Sequence, residues 1–148
     1  MAINTKKVVV GGIVAGIVMM VVNFVVFGFL LRGRMNQELY TAAPTLQGKG
    51  MGPGPITAHV IGDLAIGILL VWLYAAIRPR FGPGMGTAAK AALAIWVCGL
   101  VFFQDWLHLG LMTAGSYVMA SVTTLITLLI AAWVGGKLYT ESATPAMA

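Results

Sequence analysis

The sequence predicts an all-α, membrane-embedded four-helix bundle with both termini cytoplasmic. Apolar residues make up 59% of the 148 positions and charged residues only 9%, against about 25% charged in soluble domains. Four apolar runs are each long enough to cross a hydrocarbon core of about 30 Å. Proline, glycine or basic residues separate them. So little polar sequence remains that a water-soluble core could not be coated. One cysteine excludes an internal disulfide and any CxxC motif. The chain holds no Walker-type loop, G-x-S-x-G elbow or H-E-x-x-H pair. With no nucleophile beside a positioned base, a non-enzymatic role is expected.

Span one covers residues 8–31, 24 uncharged positions between Lys7 and Arg32, or about 36 Å of helix. A cleaved signal peptide is the rival reading of this basic-then-apolar start, but such apolar regions run to only about 15 residues. Span two covers 56–77, bounded by Gly52-Pro53-Gly54-Pro55 and Arg78-Pro79-Arg80, where proline and glycine are expected to stop the helix at both ends. Spans three and four cover 91–109 and 115–136, and their short link requires an antiparallel hairpin. Residues 1–140 read as a single four-span domain and 141–148 as a disordered tail. No internal duplication is visible.

Lys6, Lys7, Arg78, Arg80, Lys90 and Lys137 fall on one side of this topology and Arg32, Arg34 and Lys49 on the other. That bias places both termini inside. The net charge of +5 then reads as an orientation signal, with the bilayer as partner and no nucleic acid. In the longer outer loop, the mixed stretch from Met35 to Tyr40 is suited to lie along the interface. The glycine-rich segment from Gly48 to Gly52 is expected to be mobile. The Trp and Tyr residues gather near span ends, as an interfacial belt.

Lipid offers no hydrophobic gain for helix association, so small and polar residues mark the contacts. On span one, Gly12, Gly16, Asn23 and Phe27 share a stripe. On span four, Tyr117, Ser121, Thr124, Leu128, Ala131 and Gly135 do so, and span two contributes Ala58 and Gly62. Cys98 reads as a small, inert core residue. The methionines toward the outer side show no repeated motif that would suggest Cu(I).

Four ionisable groups are not needed for packing. His59 and Asp63, at i and i+4, share a face of span two; Asp105 and His108, at i and i+3, share a face of span three. Both pairs fall in the outer half, with Gln104, Asn23 and Ser121 at compatible depths. A carboxylate in a span costs about 2.5–3.5 kcal/mol on insertion scales, so it should face protein or water and have a partner. Three readings remain open. The cluster fixes helix pairing; or the two His with one or both Asp bind a divalent transition metal such as Zn, Fe or Mn, or haem b through the two imidazoles; or Asp63 carries protons in a small oligomeric transporter.

The stretch Leu70-Val71-Trp72-Leu73-Tyr74-Ala75-Ala76-Ile77-Arg78-Pro79-Arg80-Phe81-Gly82-Pro83-Gly84, together with the start from Lys7 to Gly16, resembles a group of small four-span bacterial inner-membrane proteins of unassigned activity. The resemblance implies an inner-membrane location but no substrate or cofactor, and carries over no functional residue. The expectation is an integral membrane interaction or accessory component, acting as a homo-oligomer or in a larger membrane complex.

Overall fold

The computed structural model describes residues 3–48 and 52–141. Helix α1 (Thr5–Val25) runs into a π turn (Val26–Leu30). Next come α2 (Arg32–Ala42), a short 3-10 turn (Pro44–Leu46), α3 (Pro53–Phe81), α4 (Met85–His108) and α5 (Ala114–Leu138). Four helices are long and apolar enough to cross a membrane: α1 with its π turn, α3, α4 and α5. The expected all-α, four-helix architecture is therefore present. Around the bundle the order is α1, α3, α4, α5, with α5 packed on both α1 and α4.

The helices start and stop where local chemistry allows it. The Asn4 side chain accepts from the Lys7 N–H at the start of α1, and Thr113 caps α5 by accepting from the Ser116 N–H, so each satisfies an orphan donor of the first turn. The Gly-Pro cluster begins α3 as expected, with Gly52 as its cap, but proline does not stop the helix at the other end. Pro53 and Pro55 sit inside its first turn, where a missing N–H costs nothing. Pro79 lies inside its last turns, giving up one bond to the Ala75 carbonyl. The helix ends at Gly82, which has φ +79°, and α4 begins after Gly84, at φ +119°. These two left-handed positions make the turn. Thr87 Oγ1 donates to the Gly82 carbonyl at 2.7 Å, and Tyr74 Oη accepts from the Gly84 N–H at 3.3 Å.

Glycine sets the helix spacing at the end of the bundle holding this turn, here called the base. A Cβ on Gly67 would overlap the Gly12 carbonyl oxygen and the Gly16 backbone nitrogen. One on Gly11 would lie 2.8 Å from the Gly135 carbonyl oxygen. Backbones of α1, α3 and α5 thus touch directly, which is how helices gain dispersion energy in lipid. The stripe read on span one holds at Gly12 and Gly16, and that on span four at Leu128, Ala131 and Gly135. On α3 the contact is at Gly67, not at Ala58, which is exposed, or Gly62, around which a Cβ would meet nothing within 4 Å. On the far half of α5 the buried positions are Ser116, Ala120 and Thr127 instead of Tyr117, Ser121 and Thr124.

Basic residues ring the base. Arg78 pairs with Glu141 at 3.6 Å and lies over the Tyr139 ring, and Lys137 lies over Trp133. Glu141, read as the start of a disordered tail, is thereby tied to α3. Residues 142–148 lie outside the described residues, as does the centre of the glycine-rich loop, 49–51.

Candidate functional site

Closure at the base is not continued to the opposite end, here called the mouth. On α4, residues Ala91, Cys98, Phe102 and Asp105 share one face. Ala91 is fully buried, Phe102 is 78% exposed, and Cys98 and Asp105 are exposed between and beyond. Every buried position of α4 lies between Thr87 and Ala92. On α3 the buried stripe of Tyr74, Leu70 and Gly67 continues at i−4 spacing to Asp63, half-buried, and His59, exposed. The faces that close at the base therefore open at the mouth. Cys98, expected in the core, lies on that opened face.

Within this opening the structure pairs some of the sequence candidates and leaves others apart. Asn23 Nδ2 of α1 donates to Asp63 Oδ1 at 3.2 Å, joining the polar residue of the glycine stripe to the deepest carboxylate. Asp63 is ten residues into α3, about 15 Å along its axis. His59 is one turn nearer the mouth on the same face. Asp105, His108 and Gln104 are exposed in the last turns of α4. No three His, Cys, Asp or Glu side chains converge among the described residues, so each His/Asp pair offers two donors within one chain. Ser121 does not join them. Its hydroxyl donates to the Tyr117 carbonyl at 2.7 Å, and its own carbonyl accepts from Trp96 Nε1 at 2.9 Å, a tie between α4 and α5.

A second polar centre, not read from the sequence, closes the mouth over α5. The Glu38 carboxylate of α2 accepts from the Thr113 N–H (3.0 Å), Thr113 Oγ1 (2.9 Å) and Ser116 Oγ (2.7 Å). Arg34 Nε reaches Ser116 Oγ at 2.9 Å and Glu38 at 3.3 Å. The Thr113 backbone donor, then the Ser116 hydroxyl, hold the Glu38 carboxyl down at about 2, as several hydrogen bonds to a carboxylate do. An anion also suits the positive end of α5. The signals were present: Arg34 and Glu38 stand at i and i+4, Glu38 is the only acid of the long loop, and Thr113-Ala-Gly-Ser116 has the look of a helix cap.

One hollow borders this clasp, and a second lies deeper along α5. A cleft of about 520 Å³ is lined by Arg34, Gln37, Glu38 and Thr41 of α2 and by Gly110 and Thr113. A crevice of about 250 Å³, nearly all apolar, lies between Phe27 of the π turn, Trp96, Leu100 and Phe103 of α4, and Ala120 and Thr124 of α5.

No protein family matches the chain, and neither a curated protein nor a solved structure matches it either.

Proposed function

We propose that the chain is a non-enzymatic membrane component that associates laterally with another membrane-embedded protein chain along the mouth halves of α3 and α4. The observation that carries this reading is Asp63. It is a carboxylate about 15 Å into an apolar helix, only half-buried, with one hydrogen bond from Asn23. An ionised group at that depth calls for protein or water around it. The opened faces of α3 and α4 give a partner helix room to supply the remaining bonds. A second copy of the chain fits this chemistry, because each His/Asp pair offers both a donor and an acceptor, which a two-fold contact requires. The resemblance supports a bacterial inner membrane, and the charge bias supports a cytoplasmic base.

A metal ion or haem enters this reading as a ligand of the assembled interface. His59 with Asp63, or Asp105 with His108, is half of a four-donor set. The carrier reading, with Asp63 as proton acceptor, requires access from both membrane faces. The fully buried Ala15, Leu70, Ala91 and Ala131 at the base weigh against it.

Protein extracted in mild detergent tests the proposal. The wild type is expected to run as a complex with itself or a constant partner, and Asp63→Leu to run as the single chain while keeping its helical content. A wild type that is monomeric throughout contradicts association. Elemental and absorbance analysis of the same complex decides the metal option: stoichiometric metal or a Soret band, lost in His59→Ala and in His108→Ala, supports it.

A further inference from the structure

The cleft and the crevice share no lining residue and lie at successive depths along α5, with the clasp between them. Thr113 rims the first, and Ala120 to Thr124 floor the second. Ser116, beneath the Arg34 clasp, is one turn from Ala120 on the same buried face. From Thr113 to Thr124 is eleven residues, about 16 Å of helix, close to the hydrocarbon depth of one leaflet, about 15 Å. Polarity follows the same axis. The upper hollow is framed by Arg34, Gln37, Glu38 and Thr41, and the lower by aromatic and aliphatic groups.

The charges at the top are not equivalent. Glu38 is saturated by Thr113, Ser116 and Arg34. Arg34 makes its bonds through Nε, and neither Nη forms a hydrogen bond among the described residues. Its side chain is 54% exposed, so the outer edge of the guanidinium is presented at the cleft, with exposed Arg32 adding positive charge at the start of α2. Such an edge matches a phosphate bidentately. We infer that the two hollows together hold one phospholipid: the phosphate of a lipid in the leaflet on the α2 side pairs with Arg34, and one acyl chain passes the clasp to fill the crevice beside Trp96. Neither a free phosphate nor a purely apolar molecule matches both halves. The site stands apart from the Asp63 surface, so either proposal can fail alone.

Trp96 lines the crevice and is the natural reporter. In detergent, the full chain with Trp72→Phe, Trp106→Phe and Trp133→Phe is titrated with phosphatidylglycerol brominated at mid-chain. The expected result is saturable quenching of Trp96 at about one lipid per chain. Arg34→Gln raises the half-saturating lipid concentration about tenfold, the scale of one charged hydrogen bond. Gly99→Leu fills the crevice from a position where a Cβ meets nothing within 4 Å, and removes the saturable phase. Inorganic phosphate neither quenches nor displaces the lipid. The inference is overturned if quenching does not saturate, if Arg34→Gln leaves the curve unchanged, if a brominated alkane gives the same saturable curve, or if inorganic phosphate displaces the lipid.

Discussion

Gly67→Val is expected to destabilise the bundle by about 3 kcal/mol or more, at the upper end of what overpacking costs. The reason is the nature of the neighbours. A Cβ at position 67 meets the Gly12 carbonyl oxygen and the Gly16 backbone nitrogen, atoms that cannot change rotamer. Accommodating even one methyl requires α1 and α3 to move apart, and their separation also strips contacts from Ile68 and Leu64, which pack against Gly12 and Gly16. In lipid nothing offsets that loss, because close packing supplies the association energy. Gly62→Val is the control on the same helix. A Cβ there meets nothing within 4 Å, and the change should stay within about 0.5 kcal/mol. Unfolding of both variants in mixed micelles, followed by circular dichroism, checks the contrast. Equal stability of the two variants would mean that the glycine contacts do not set the helix spacing.

Glu38→Gln is expected to release α2 while leaving the four spanning helices in place. The amide keeps the shape but loses the charge and one acceptor face, so it cannot serve the Thr113 N–H, two hydroxyls and Arg34 together. Hydrogen exchange at the backbone amides of α2 should quicken at least about tenfold, as loss of a charged hydrogen bond implies. Acid should likewise lower the protection of α2 in the wild type, measured relative to the intrinsic exchange rate at each pH. The folded carboxyl is held at about 2, below its ordinary value near 4.5. The clasp is therefore fully formed above about pH 4.5, and its contribution falls away as pH drops toward 2. In Glu38→Gln that acid-dependent step in α2 exchange should be absent. A wild type whose α2 protection factors are flat from pH 6 to pH 3 would show that the clasp does not hold α2.

Much of the architecture could be read from the sequence because lipid imposes a strong rule: a spanning segment must be long, apolar and helical. The four helices and the Gly12/Gly16 contact follow from it. Helix ends were less legible. The sequence rule that proline stops a helix fails at Pro79, where the end is set instead by Gly82 and the Thr87 hydroxyl. Sequence alone does not single out Gly67, because several small residues on α3 compete for the contact role, and which one meets Gly12 and Gly16 depends on axial offset between helices. The polar residues are legible from type and spacing; how they group across helices is not. Asn23 meets Asp63, whereas the faces carrying His59 and Asp105 open toward the mouth. Spacing along one helix gives a shared face; it carries no information about the angle at which two helices diverge. The role of Glu38 is illegible in sequence for a related reason, since its partners Thr113 and Ser116 lie more than 70 residues away.

The claim that the mouth halves of α3 and α4 are covered by protein is tested most directly by cross-linking in native membranes. Cys98, the only cysteine, already lies on the opened face of α4. In a Cys98→Ser background, Phe102→Cys samples the same face, while Ile17→Cys and Ile126→Cys sample exposed apolar positions on α1 and α5. Under mild oxidation or with a short bifunctional reagent, the wild type and Phe102→Cys are expected to give a discrete cross-linked protein species. Ile17→Cys and Ile126→Cys should give none. Cross-linking at Phe102 no greater than at Ile17 and Ile126 would contradict the account and leave that face to lipid.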